Sequence, residues 1–217
     1  MIDLNQIEGI SPLLDEKLQE ELKKIFGKIE MPVTLKAAVD MGEEKSREMA
    51  LFLKTAVSLS DLLTLELYTP EEAESLEFHT DYLPATGLYK DGAYSGVSFH
   101  GVPGGKEMNS FVLAIYNLSG PGQEIGRGLV KKIQKIKKPA NIKVCVSLAC
   151  HHCPAVVAAS QRIAILNPLV EAQMLDANLY PALVERYGIT RVPFVILNDE
   201  KTFTGPKTIE ELTGMLG

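Results

Sequence analysis

The sequence predicts an α/β protein in which one small unit of strands and helices occurs twice, with a pair of cysteines in the second copy. Three observations lead there. Stretches with apolar residues three and four apart interleave with short runs of strand-like alternation. The order of those stretches in residues 1–121 returns in residues 122–217, the two expected domains. Cys150-His151-His152-Cys153 stands between an apolar strand pattern, Ile142-Lys143-Val144-Cys145-Val146, and a helical pattern that opens at Pro154 and runs through Val157, Ile163 and Leu166.

In chain order, Leu13, Leu14, Leu18, Leu22, Ile25 and Phe26 recur at helical spacing until Gly27. Pro32 precedes a strand at Val33 to Val39, and a helix carrying Met49, Leu53, Ala56 and Val57 leads to a strand at Leu63 to Tyr68. The acidic stretch Pro70 to Glu77 reads as a solvated loop or short helix. Leu83-Pro84 introduces two runs, Ala85 to Tyr89 and Tyr94 to Phe99, and Asp91-Gly92 between them is a strong hairpin signal. Gly104-Gly105 leads into a helix with Phe111, Val112, Ile115 and Leu118 on one face, closed by Ser119-Gly120-Pro121-Gly122.

The second half replays that order. Gln123 to Lys138 is a helical pattern stopped by Pro139, and a strand at Ile142 to Leu148 precedes the helix after Cys153. A strand at Val170 to Leu175 and a short helix at Pro181 to Tyr187 bring the chain to Val192-Pro193. A strand at Phe194 to Leu197, the turn Asn198-Asp199-Glu200, a short strand through Phe203 and a helix from Lys207 to Leu216 close it. Helix-strand-helix-strand, proline, strand-strand-helix describes both halves.

The 217 residues are 46% hydrophobic and 23% charged without Trp, an ordinary globular balance. Residues 1–120 hold 20 Asp+Glu against 10 Lys+Arg and residues 121–217 hold 8 against 12, so the halves carry −10 and +4. That asymmetry fits two units with different surfaces and argues against nucleic acid as the partner. The amino-terminal residues lack a basic, then apolar leader pattern, and no run approaches the roughly 18 apolar residues of a membrane span, so a cytoplasmic protein without a membrane partner is expected. Three cysteines cannot build a disulfide framework in a chain of 217 residues.

A thiol pair with two residues between them at a strand-to-helix junction is arranged to be made and broken. The sulfurs can meet, and the positive end of the helix favours a thiolate. Cys150, nearer the strand end, is the expected attacking thiolate, and Cys153, about one turn into the helix, the expected resolving thiol. His151 and His152 either tune the couple as neighbouring imidazoles or are exposed polar residues of a tight turn. A zinc site of two Cys and two His is disfavoured because both histidines lie inside the C-x-x-C loop, where they cannot easily close a tetrahedron. Cys145, between Val144 and Val146, reads as a core residue. His79 and His100 lie in loop-like stretches and carry no motif.

A strand, then C-x-x-C at a helix start, then Val192-Pro193 before a hairpin, then Gly205 before the last helix resembles the thioredoxin/glutaredoxin fold. A first unit without C-x-x-C followed by one carrying Ser147-x-x-Cys150-His151-x-Cys153-Pro154 resembles the N-terminal domain of the bacterial alkyl hydroperoxide reductase flavoprotein. Leu166-Asn167-Pro168 fits as well, and the resemblance covers nearly the whole chain. Protein disulfide oxidoreductases share the tandem fold, but many keep C-x-x-C in both halves.

The resemblance implies that Pro193 is cis and faces the thiols, with the Val192 backbone pairing with an incoming peptide; an ordinary trans turn proline is the plainer reading. Pro84 is its architectural echo. It also implies that Glu107, at the start of the first unit's last helix, faces the redox centre and exchanges protons with the thiols, where the plainer reading is a carboxylate favoured by the helix dipole. The strand before Cys150 has no acid of its own.

The expected function is that of a thiol–disulfide oxidoreductase: a dithiol electron carrier between a flavoprotein reductase of thioredoxin-reductase type and a peroxiredoxin or another protein disulfide. A protein disulfide oxidoreductase or isomerase acting on clients is the alternative, and a non-catalytic adaptor a second one. No G-x-G-x-x-G fingerprint is present, so FAD and NAD(P)H are expected on the reductase, with the Cys150–Cys153 pair as the only redox group here. The chain is either free-standing or a piece of a longer flavoprotein.

Overall fold

In the computed structural model of the protein, which describes residues 1–216, the two halves have the same element order. The first runs α1 (Glu16–Phe26), β1 (Val33–Ala38), α2 (Glu44–Val57), β2 (Leu63–Tyr68), β3 (Ala85–Lys90), β4 (Ala93–His100) and α3 (Met108–Ser119). The second runs α4 (Arg127–Gln134), β5 (Ala140–Val146), α5 (Cys153–Leu166), β6 (Val170–Asp176), α6 (Pro181–Tyr187), β7 (Phe194–Leu197), β8 (Lys201–Thr204) and α7 (Ile209–Met215). Where the second half has α6, the first has a 3-10 turn at Glu72–Ser75.

The described strands form one mixed sheet in the order β2-β1-β3-β4-β6-β5-β7-β8. Each half contributes a parallel pair joined by a crossover helix, β1 with β2 and β5 with β6, and an antiparallel hairpin, β3–β4 and β7–β8. The halves join through parallel pairing of β4 and β6, from Val97 opposite Ala172 to His100 opposite Leu175. Gly96 makes that junction possible. It sits at φ +79 where the β3–β4 register shifts, and a Cβ there would lie 2.5 Å from the Val170 carbonyl oxygen. The hairpin turn at Asp91-Gly92 has both residues at positive φ, 52 and 79, the geometry that Asp-Gly favours.

Alternation along the strands divides the core. Ile142, Val144 and Val146 of β5 face the large cluster beneath the other helices, together with Leu22, Phe111 and Val157, whereas Cys145 faces the smaller one under α6 with Leu183 and Phe194. Phe111 of α3 stacks edge-on against Phe52 of α2 at 5.4 Å and against Phe99 of β4 at 5.6 Å between centroids. The main core cluster contains residues of both halves.

Two sequence expectations shift. The helix expected from Gln123 starts at Arg127 and stops at Gln134. At its start, Gln123 is bound elsewhere: its N–H donates to Asn117 Oδ1 at 2.7 Å and its carbonyl accepts from Arg162 Nη2 at 2.9 Å. At its end, Asn167 Nδ2 caps the carbonyls of Ile133 (2.7 Å) and Ile136 (3.2 Å). His100 is no loop residue: it ends β4 with no exposed surface. Its Nδ1 donates to the Tyr82 carbonyl at 3.0 Å, which leaves Nε2 to accept from Ser98 Oγ at 3.1 Å.

Candidate functional site

Strands β4, β5 and β6 are parallel, so their carboxyl ends lie along one edge of the sheet, where the chain leaves regular structure. After β5 comes Ser147 to His152, after β4 comes Gly101 to Glu107, and β6 ends on Asp176. Strand β7 runs antiparallel to β5 with Phe194 opposite Cys145, so Pro193 enters at the same edge. Ala85 lies opposite His100 and places Pro84 there too. The candidate site residues Cys150 to Cys153, Val192, Pro193 and Glu107, together with Pro84, therefore meet at one edge.

Cys150 and Cys153 are joined as a disulfide with 5.6 Å between their Cα atoms. Cys153 is the first residue of α5 and has no exposed surface, whereas Cys150 is partly exposed in the turn closed by its N–H to the Ser147 carbonyl at 2.9 Å. Pro154 suits the second position of the helix, where no backbone donor is needed. No side chain caps α5; instead the Cys153 N–H donates to Cys150 Sγ at 3.2 Å. A free donor at the positive end of a helix dipole is thus aimed at the more accessible sulfur. His151 and His152 are both exposed, His152 as the capping residue.

The Val192–Pro193 peptide is cis, as is Leu83–Pro84 in the first half. The two prolines share a second feature: the Pro193 carbonyl accepts from Gly205 N–H at 2.9 Å and the Pro84 carbonyl from Gly101 N–H at 2.8 Å. Both glycines sit at φ near +90, 89 and 92, just past the hairpin's second strand. Val192 is partly exposed and Pro193 buried.

Glu107 closes a 3-10 turn, Gly105–Glu107, that leads into α3. The turn grips the loop before the thiols. Lys106 N–H donates to the Leu148 carbonyl at 2.9 Å, and Gly105, at φ +55, is so close that a Cβ would stand 2.6 Å from that oxygen. The Glu107 side chain is fully buried; Ser110 Oγ donates to its Oε2, and Oε1 has no partner. Burial pushes its pKa up to about 7, with the Asp176 charge adding and the Ser110 hydrogen bond opposing.

Sequence reasoning missed Ser110 and Asp176. Ser110 stands one helical turn after Glu107, a spacing at which a hydroxyl reaches back. Asp176, 5% exposed, closes β6 after the apolar pair Met174-Leu175, and its Oδ1 accepts from Asn178 N–H at 3.1 Å and Nδ2 at 3.0 Å. Cys145 is a core residue whose thiol pKa burial pushes up to about 12, which takes it out of thiolate chemistry.

A groove of about 840 Å³ runs along α5 from His151, its walls including Lys106, Asn109, His151, Pro154, Arg162 and Lys207. Among the described residues no cluster of three or more His, Cys, Asp or Glu side chains is placed to hold a metal ion, and no helix is long and apolar enough to cross a membrane.

Residues 140–216 match the thioredoxin domain family. The alkyl hydroperoxide reductase protein AhpF of Enterococcus faecalis is similar in structure, with a TM-score of 0.89 and 39% identity over 94% of this chain and 99% of that one. Its counterpart in Pseudomonas putida is 31% identical over 204 residues, 94% of this chain and 37% of the relative's length. A protein disulfide oxidoreductase of Aeropyrum pernix shares the fold with a TM-score of 0.84 at 21% identity, covering 100% of this chain and 93% of that one. The chain thus spans little more than a third of the length of the curated relatives it matches, 37 to 38%.

Proposed function

The chain belongs to the family of the tandem thioredoxin-fold domain of the alkyl hydroperoxide reductase protein AhpF and is a thiol–disulfide oxidoreductase; from that premise we propose that it is a two-electron carrier. Its dithiol takes electrons from a flavoprotein reductase of thioredoxin-reductase type and passes them to the disulfide of a peroxiredoxin or another protein. Residues 1–121 form the half without thiols and residues 122–217 the half that carries them. The carrying observation is the Cys150–Cys153 disulfide at the start of α5 with the Cys153 N–H on Cys150 Sγ.

In the forward step the Cys150 thiolate attacks one sulfur of the client disulfide. A mixed disulfide forms and one client thiolate leaves. Cys153 then gives its proton to the Glu107 carboxylate, and its thiolate attacks Cys150 Sγ. The Cys150–Cys153 bond forms and the second client thiolate departs, so two electrons have moved to the client. Recharging reverses the sequence: a reductase thiolate attacks Cys150 Sγ, Cys153 leaves as a thiolate and takes the proton back from Glu107, and the second reductase thiolate attacks its partner sulfur in the mixed disulfide, which closes the reductase disulfide and releases the Cys150 thiolate. A carboxyl with a pKa near 7 can do both at neutral pH. The Val192 backbone before Pro193 would align an extended client segment, and His151 and His152, exposed beside the thiols, would tune the couple. Flavin and nicotinamide chemistry is assigned to the reductase.

The test is a coupled assay containing NAD(P)H, a thioredoxin-reductase-type flavoprotein, this protein, a peroxiredoxin and peroxide, each left out in turn. The carrier reading expects nicotinamide oxidation to stop when this chain is omitted; flow that continues without it rules the reading out. The reversed role, oxidising client thiols, is supported by the fold shared with the Aeropyrum pernix enzyme. A midpoint potential separates the two, near about −270 mV for a reductant and about −120 mV for an oxidant.

A further inference from the structure

The chain has 28 carboxylate side chains, and the only two that are buried among the described residues, Glu107 and Asp176, belong to different halves and stand at the same sheet edge. Asp176 ends β6 beside Val146, the last residue of the strand that delivers the C-x-x-C. The first half comes up to it through Gly101, at φ +92, where a Cβ would be 3.1 Å from Asp176 Cβ. Five residues further on, the Lys106 N–H binds the Leu148 carbonyl and the turn carries Glu107 inward. Glu107 Oε1 is left without a hydrogen-bond partner, so nothing but Ser110 stabilises the ionised carboxylate there.

We infer that Asp176 is a positioning residue of the redox centre: its negative charge keeps a proton on the Glu107 carboxyl until a Cys153 thiolate needs it. The inference rests on the reading of Glu107 as the proton carrier. Its physical basis is repulsion: two like charges in a site this dry cannot both ionise freely, and the one with the single hydroxyl donor keeps the proton, while Asp176 has two donors from Asn178. The Asp176 charge is felt at Glu107. It is felt also at Lys45 of α2 and at the buried Tyr180 hydroxyl. Lys106 stands on the Glu107 turn, and Lys45 is paired with Glu48 and near Glu44 on α2. Asp176 is the one charge that registers at Glu107 itself.

The experiment follows the ¹³C carboxyl resonances of the oxidised protein, in which the thiols do not titrate, with Glu107→Gln to assign Glu107. The wild-type Glu107 midpoint is expected near about 7. In Asp176→Asn, which keeps an acceptor for Asn178, it should fall by about one pH unit, a tenfold loss of proton affinity, and Asp176→Glu should restore it. An unchanged midpoint in Asp176→Asn overturns the inference. A test without any variant guards against misfolding: coupling is reciprocal, so the wild-type Asp176 resonance must inflect at the Glu107 midpoint, and a resonance that does not inflect there also overturns it. In the reduced protein the pH of half-maximal release of the second aryl thiolate, the step in which Cys153 gives up its proton and closes the disulfide, should move with the Glu107 midpoint; a profile that stays put while the midpoint moves removes the redox role. These readouts need no protein client, so they succeed or fail independently of the coupled assay that tests the carrier reading.

Discussion

The Cys153 N–H donates to Cys150 Sγ at 3.2 Å, so one backbone bond links the fully buried sulfur's own residue to the accessible one. The two thiols are therefore unequal. With Cys153→Ser, an aryl disulfide should release one thiolate per protein and leave a mixed disulfide on Cys150, visible as an added mass. With Cys150→Ser the reaction should slow by roughly two orders of magnitude or more. Catalytic turnover by Cys153→Ser, or a normal rate for Cys150→Ser, contradicts the assignment.

Burial of Glu107 and of His100 makes opposite demands on stability. Glu107 is raised from 4.5 to about 7, so the native state binds its proton more tightly and the group stabilises the fold below pH 4.5, an advantage lost as pH rises to about 7. His100 is lowered from 6.5 to about 4 by burial, with the Tyr82 carbonyl opposing; its contribution is intact above pH 6.5 and is lost as pH falls toward 4. Between pH 4.5 and 6.5 the two slopes cancel. Glu107→Gln should unmask the histidine, giving denaturation free energies that rise with pH by about 1.4 kcal/mol per unit more than the wild type in that window. Parallel curves for the two proteins would show that Glu107 titrates as an ordinary surface acid.

Gly96 sits at φ +79 with the Val170 carbonyl oxygen 2.5 Å from where a Cβ would be. Gly96→Ala should cost roughly 3 kcal/mol, combining backbone strain with displacement of a ladder carbonyl. Amide exchange should accelerate most across β4 and β6, the strands that join the halves. A stability within about 0.5 kcal/mol of the wild type would mean that the seam is looser than its register implies.

Asn167, 3% exposed, donates to both Ile133 and Ile136 carbonyls. Asn167→Ala leaves the Ile136 carbonyl without a donor and takes one donor from Ile133, which keeps the Ile136 N–H, and should cost about 1 to 3 kcal/mol, read by chemical denaturation, with α4 the element whose amides lose protection. Unchanged protection in α4 would place its stop signal in Pro139 alone.

How far the sequence reaches follows from where the deciding contacts lie. The order of helices and strands, the Asp91-Gly92 turn and the tandem repeat depend on neighbours within a few residues, and their patterns are local. The C-x-x-C needed only four residues to be recognised. What stayed hidden depends on pairing between the halves: β4 beside β6, which makes one sheet of two units, and the burial that turns His100 from an apparent loop residue into the end of a strand. Asn167 stood out only as part of Leu166-Asn167-Pro168, and its buried caps on a helix some 30 residues away have no local trace. Asp176 escaped notice for the same reason: its surroundings come from Gly101 and Glu107, far off in sequence.

The proposed chemistry stands on the start of α5 making Cys150 a thiolate at neutral pH. Absorbance at 240 nm, followed against pH in the reduced Cys153→Ser protein, reads this without ambiguity because the backbone N–H at position 153 is retained. A midpoint below the roughly 8.5 of free cysteine is expected, and a midpoint at or above that value would leave the carrier without its nucleophile.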